Sequence, residues 1–359
     1  MKQTLFYDPH KTYDDNYDNG PFNFDEVDLR KDTDPKYEFL GHKINSPFGI
    51  AAGSLPTSRH TDAAFRFGYD VVCYKTQRSV NFPSNPFPNI LPLDVEGDLT
   101  LDKLNQPIKT RADYPEDLSK LSITNSFGVP SRGHDVWFDD VKKALQGVGQ
   151  GQLLIMCVVG TLQKDFTHEQ YYDDFARSAK FAKQAGAKII EVNLSCPNVA
   201  SEGVICYSPD AVYQICTRVK SAIGDTPLII KVGYFSQQQQ ELLEQIVEQT
   251  KDLVAAISAI NTLQGKIVTP DGRQALPGEG RQKSGICGAG IKWAGLDMVK
   301  RLVALRRQKS YDYQIIGVGG VMSPDDFSDY RQAGADVVLS VTGTMWNQYL
   351  AQDIKRQIS

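Results

Sequence analysis

A thiol flanked by amides is the most chemically loaded feature of this chain. Cys196 stands in Asn193-Leu194-Ser195-Cys196-Pro197-Asn198, between two asparagines and beside a proline, a loop setting rather than a helix or strand. A free thiol has a pKa of roughly 8.5, so it takes a proton at neutral pH only when partly ionised or deprotonated in concert. Asn125 opens Asn125-Ser126-Phe127-Gly128, and Asn261-Thr262 follows an apolar run. A lone asparagine is usually a turn or cap, but several at strand ends can meet a planar heterocycle carrying alternating N–H and C=O groups. Two lysines, Lys75 and Lys231, interrupt otherwise apolar runs. Burying a lysine is costly unless an anion lies near it. Gly319-Gly320 and Gly343-Thr344 precede helical patterns, so backbone N–H groups can face a phosphate there. Ala51-Ala52-Gly53 is small enough to admit something flat.

These residues share one kind of position. Eight short apolar runs cross the sequence, at 48–52, 70–74, 153–159, 188–192, 228–232, 254–260, 314–318 and 336–341. Most are continuously apolar, as strands buried on both faces of a parallel sheet must be. Helical patterns separate them. In 167–185, Thr167 and Gln170 have capping-box spacing and Gly186 supplies the stop. Ser323-Pro324-Asp325 starts another helix, which ends at Gly334. One helix-to-strand joint recurs as Phe67-Gly68-Tyr69-Asp70, Ala185-Gly186-Ala187-Lys188 and Ala333-Gly334-Ala335-Asp336.

The pattern predicts an α/β fold, a (β/α)8 TIM barrel over residues 37–359, with reactive groups at the C-terminal ends of its strands. An open doubly wound sheet would call for G-x-G-x-x-G after the first strand, and none stands there. A short hairpin around Gly41 should lead into the barrel. Residues 1–36 read as an N-terminal extension that wraps the surface or stays mobile. Two stretches, about 77–124 and 264–283, read as insertions at the C-terminal mouth.

Composition narrows the function classes. The 359 residues carry a formal net charge of −4 and no Lys/Arg stripe, which disfavours a nucleic-acid partner. No apolar run approaches the roughly 20 residues of a membrane helix, and the acidic, aromatic start is unlike a signal peptide. A cytoplasmic protein without a membrane partner is expected. The six cysteines form no C-x-x-C and the five histidines no pair at helical spacing, so neither a disulfide framework nor a metal is expected. Cys73, Cys157 and Cys216 lie within strand or helix patterns and read as buried small hydrophobes.

Asn193–Asn198, Asn125–Gly128, Ile260-Asn261-Thr262-Leu263 and Gly317-Val318-Gly319-Gly320 resemble the class 1 (soluble, cysteine-base) dihydroorotate dehydrogenase family. They are also similar to the pyrimidine-reducing domain of dihydropyrimidine dehydrogenase. The resemblance runs from about residue 38 onward, interrupted at the two insertions; the hexapeptide is its most specific part. It implies FMN-dependent oxidation of dihydroorotate to orotate in pyrimidine biosynthesis, with hydride passing from C6 to flavin N5 and the C5 proton to Cys196. Lys75, as a second catalytic residue, would hold both flavin and substrate. Asn125, Asn193, Asn198, Asn261 and Thr262 would meet the ring edges, and the backbone of Phe127 and Gly128 a carboxylate. Ala51, Ala52, Gly53, Lys75, Thr76, Asn193 and Gly288 would contact the cofactor, as would Gly319, Gly320, Gly343 and Thr344. Lys231 would lie near flavin N1/O2, where negative charge collects on reduction. A soluble electron acceptor (fumarate, or NAD through a partner flavoprotein) and a homodimer are implied as well.

The chain also departs from this family. Residues 199–206 differ from the lid of the fumarate-using enzymes, and Pro270-Asp271-Gly272 is closer to the dihydropyrimidine dehydrogenase domain and the NAD-linked enzymes. Cys287 stands where relatives often have glycine or serine. The extension and the 77–124 stretch match nothing in the resemblance. Two alternatives therefore stay open beside dihydroorotate: an uncarboxylated dihydropyrimidine as substrate, and a flavin-binding paralogue without turnover.

Overall fold

The computed structural model describes residues 5–24, 28–30, 35–195 and 205–358. Each of the eight apolar runs contains one strand: β1 Phe48–Ile50, β2 Val71–Gln77, β3 Leu153–Val158, β4 Ile190–Asn193, β5 Leu228–Val232, β6 Ala256–Ala259, β7 Gln314–Val318 and β8 Val337–Ser340. All pair in parallel with their sequence neighbours, and β8 returns to β1, closing the barrel. Every residue of these strands is buried except Gln314, which is half-buried. Val71, Ile155, Ile229, Ile316 and Leu339 fill the barrel, while a larger apolar cluster lies between barrel and helices. The expected (β/α)8 fold is present. Cys73, Cys157 and Cys216 are buried free thiols, and Cys157 donates to the buried Glu191 carboxylate at 3.3 Å.

Local signals explain where the helices begin and end. Thr167 and Gln170 form the capping box of His168–Gln184, and Ser323 with Asp326 that of Pro324–Ala333. Gly68, Gly186 and Gly334 take φ of 81°, 103° and 101°, a left-handed conformation that a side chain makes costly. The hairpin around Gly41 pairs Tyr37–Phe39 with His42–Ile44.

Over the mouth, segments from the two insertions combine. Strands Ile90–Pro92, Ser122–Asn125, Lys283–Gly288, Leu263–Val268 and Ile108–Lys109 lie in that order in one sheet. Asn125 pairs with Gly285 and Ile123 with Cys287, so each insertion satisfies backbone groups the other would leave bare. The buried Arg281 guanidinium ties them together, donating to the carbonyls of Pro86, Pro277 and Ser126 at 2.7, 2.6 and 3.0 Å.

The described part of the N-terminal extension is an ordered arm with a buried face. Thr12 and Asp15 cap a helix at Tyr13–Asn19, and Phe6, Tyr7, Tyr13 and Asn16 are buried. Beneath it, Arg59 donates to the carbonyls of Tyr17 and Asp18 at 2.7 and 2.8 Å. Gly20 lies on His60 so closely that a Cβ there would come within 2.6 Å of Nε2.

Burial, aided by the Arg59 charge, pushes the His60 imidazole down to about 3. The unfolded chain takes up this proton near pH 6.5, so between pH 6.5 and 3 the folded state binds fewer protons. Stability is therefore present in full above pH 6.5 and falls as pH drops, by at most about 1.4 kcal/mol per pH unit from this residue. His60→Gln should flatten the dependence of the thermal midpoint on pH between 6 and 4; parallel curves would show that His60 does not contribute.

Candidate active site

Barrel geometry brings the lysines and amides together. Inward-facing positions alternate along each strand, so residues near the strand C-termini form a ring at the mouth. Lys75 lies on β2; Asn193, at the end of β4, pairs with Lys231 on β5, which pairs in turn with Ser258 on β6. Lys75 and Lys231 are buried, at 7% and 4% exposure. Among the described residues no carboxylate lies within ion-pair distance of Lys231, which leaves a buried cation for a ligand to meet. Asn261 follows β6 and its amide donates to Asn193 Oδ1 at 3.4 Å and to the Ser195 carbonyl. Asn193 Oδ1 also accepts from the Ser195 backbone N–H at 3.0 Å. Two amides are thus locked to each other, Asn193 at the end of β4 and Asn261 just after β6.

One cavity, enclosing about 1120 Å³ with its mouth, is lined by Lys75, Thr76, Asn125, Asn193, Lys231, Asn261 and Thr262. Ala52, Gly53, Phe127, Gly288, Gly319 and Gly320 also line it. Four anticipated residues, Ala51, Gly128, Gly343 and Thr344, do not line it. At Gly343 a Cβ would come 2.4 Å from the Val321 carbonyl, so a side chain there would push apart the segments after β7 and β8. Thr344 donates its hydroxyl to the Val341 carbonyl at 2.9 Å. Cys196 and Asn198 lie outside the described residues.

Several wall groups are suited to a phosphate-bearing planar cofactor. Among the described residues, the Gly319, Gly320 and Val321 amides donate to no other backbone group or side chain. Such unspent N–H groups form an anion cradle. Gly320 has φ 68° and stands against Lys292, where a Cβ would meet the backbone nitrogen at 2.6 Å. Ser54 Oγ and Thr262 Oγ1, both in the wall, are buried without a hydrogen-bond partner. A ligand supplying acceptors would satisfy them.

Wall residues also come from places without a motif. Tyr7 and Tyr13 enter from the N-terminal arm, and Ile90, Ile123 and Cys287 from the five-stranded sheet over the mouth. The Asn125 amide donates to Cys287 Sγ at 3.6 Å, and burial pushes that thiol up from its ordinary pKa. The Thr12-x-x-Asp15 spacing could have disclosed the arm's helix, though not its place over the mouth.

A parallel barrel with buried lysines, paired amides and an anion cradle at its mouth is that of a cofactor-dependent barrel oxidoreductase. The sequence profile of the family described as Dihydroorotate dehydrogenase matches residues 111–359. "Dihydroorotate dehydrogenase" of Dictyostelium discoideum is 37% identical over 356 residues, covering 96% of this chain and 95% of that protein. "Dihydroorotate dehydrogenase B (NAD(+)), catalytic subunit" of Methanocaldococcus jannaschii is 29% identical over 226 residues, covering 63% and 67%. The crystal structure of DHODH from Eimeria tenella, in complex with ferulenol, shares the fold at a TM-score of 0.68 and 18% identity, over 89% of this chain and 82% of that one. The chain belongs to the dihydroorotate dehydrogenase family, whose members are FMN-dependent flavoproteins. No helix among the described residues is long and apolar enough to cross a membrane.

Proposed function

We propose that this chain oxidises dihydroorotate to orotate with FMN in the cavity at the barrel mouth. The observation that carries the reading is the joined pair Asn193–Asn261, set with two buried lysines beside an unspent anion cradle. FMN, when bound, supplies the acceptor for the hydride leaving C6. The chain's own residues do the rest. Gly319, Gly320 and Val321 would hold the phosphate, and Ala52, Gly53, Thr76 and Gly288 would border the flavin. Lys231 would place positive charge at N1/O2.

Asn125, Asn193, Asn198 and Asn261, with Thr262, would bind the edges of the pyrimidine. Each amide left unpaired by a wrong ring costs about 1–3 kcal/mol, which is the source of selectivity. The Phe127 and Gly128 amides donate to no other described residue and are the groups left for a carboxylate. Lys75 would orient flavin and substrate together, and Cys196 would take the C5 proton. A soluble electron acceptor (fumarate, or NAD through a partner flavoprotein) and a cytoplasmic homodimer complete the proposal. The NAD-linked relatives support the acceptor class.

Anaerobic titration of the flavin-loaded protein tests this. Dihydroorotate should bleach the flavin absorbance stoichiometrically. Bleaching by dihydrouracil alone would move the substrate to an uncarboxylated ring; bleaching by neither would remove the activity.

A further inference from the structure

The N-terminal arm brings two aromatic rings to the cavity. Tyr7 and Tyr13 are 3% and 2% exposed, and both meet Phe127 edge-on, with centroids at 5.7 and 6.4 Å. The Tyr13 ring also faces the Lys75 ammonium, 5.9 Å from its centroid. Tyr13 borders a second, polar cavity as well, shared with Asn85 and Arg132, so its ring partitions the two spaces.

The arm is also held by residues outside the main cavity. Arg132 pairs with Asp14 and Asp18 at 2.9 and 3.6 Å, Arg59 binds two arm carbonyls, and Phe6 meets Tyr69 edge-on with centroids at 5.8 Å. The Tyr13 hydroxyl is buried without a hydrogen-bond partner, so its aromatic face does the available work. A ring face near a largely desolvated ammonium attracts it and restricts its rotamers.

We propose that Tyr13, supported by Tyr7, is a positioning residue of the active site: it holds Lys75 and Phe127 in place for the substrate and closes that side of the cavity. This rests on the proposed dihydroorotate reading. It makes the arm a part of the substrate site that the barrel by itself lacks.

The test uses the full, FMN-loaded chain, with orotate affinity read from the flavin absorbance shift alongside steady-state kinetics. Tyr13→Leu should raise the orotate dissociation constant and KM by about 5- to 30-fold, the range of a partly desolvated cation–π contact, with kcat changed much less. Tyr13→Phe, which keeps the ring, should stay within about twofold of the parent, because the hydroxyl makes no bond to lose. Arg132→Gln loosens the arm from outside the cavity and should move affinity in the same direction as Tyr13→Leu. This second variant reads the arm's role if Tyr13→Leu fails to fold. Unchanged orotate affinity in the folded leucine or glutamine variant would overturn the proposal, as would Tyr13→Phe behaving like Tyr13→Leu. A parent protein showing no orotate-induced shift would instead sink the reading of function.

Discussion

Replacing Cys196 with alanine is expected to slow flavin reduction by dihydroorotate by about 10²- to 10⁴-fold, the usual contribution of a positioned general base. The C5 proton then has only water or a distant group to receive it. Orotate binding requires no proton transfer, so the variant should still show the orotate-induced shift in flavin absorbance. Ser195, the residue before Cys196, is anchored, with its N–H on Asn193 Oδ1 and its carbonyl accepting from Asn261. Losing the Cys196 thiol should therefore leave the amide pair in place. Stopped-flow reduction under anaerobic conditions measures the rate. A near-normal rate would deprive Cys196 of its assigned role, and a variant that neither binds nor reacts would point to a collapsed site.

The second large effect concerns Lys231. Its ammonium is buried at the barrel mouth with no carboxylate in ion-pair range among the described residues. Such a charge opposes folding until an anionic partner arrives. If that partner is the N1/O2 edge of the reduced flavin, Lys231→Met should lower the flavin midpoint potential. A charged hydrogen bond is worth about 1.5–3 kcal/mol, and about 1.4 kcal/mol corresponds to 30 mV for a two-electron couple, giving a fall of roughly 30–65 mV. The cofactor-free variant should also melt higher than the cofactor-free parent, because an uncompensated buried charge is gone. Spectroelectrochemical titration gives the first quantity and calorimetry the second. An unchanged potential would place Lys231 away from the flavin's charge-bearing edge.

Much of this architecture is local in origin and therefore legible in one dimension. The eight strands follow from runs such as Leu153–Val158, whose continuous apolarity suits a strand covered on both faces. The helix ends follow from Thr167, Ser323 and the three left-handed glycines, each of which acts on its immediate neighbours. Once a barrel is set, its alternation carries Lys75, Asn193 and Lys231 to the mouth, since side chains two residues apart share a face.

Other features depend on partners far away in the chain. Asn125 and Gly285 stand 160 positions apart, and neither segment shows that the two insertions will form one sheet. Cys287 enters the wall because its strand pairs with Ser122–Asn125, a register chosen by the folded mouth rather than by any pattern around Cys287. Tyr7 and Tyr13 lie in an acidic stretch without sustained period, where only the Thr12–Asp15 cap hints at order. Their burial comes from Arg59, Arg132 and Phe127 on other elements. Sequence alone determined the barrel and most of the polar ring at its mouth, because short-range periodicity and capping specify them. Tertiary structure decided what covers that ring, because long-range strand pairing and aromatic packing leave no local trace.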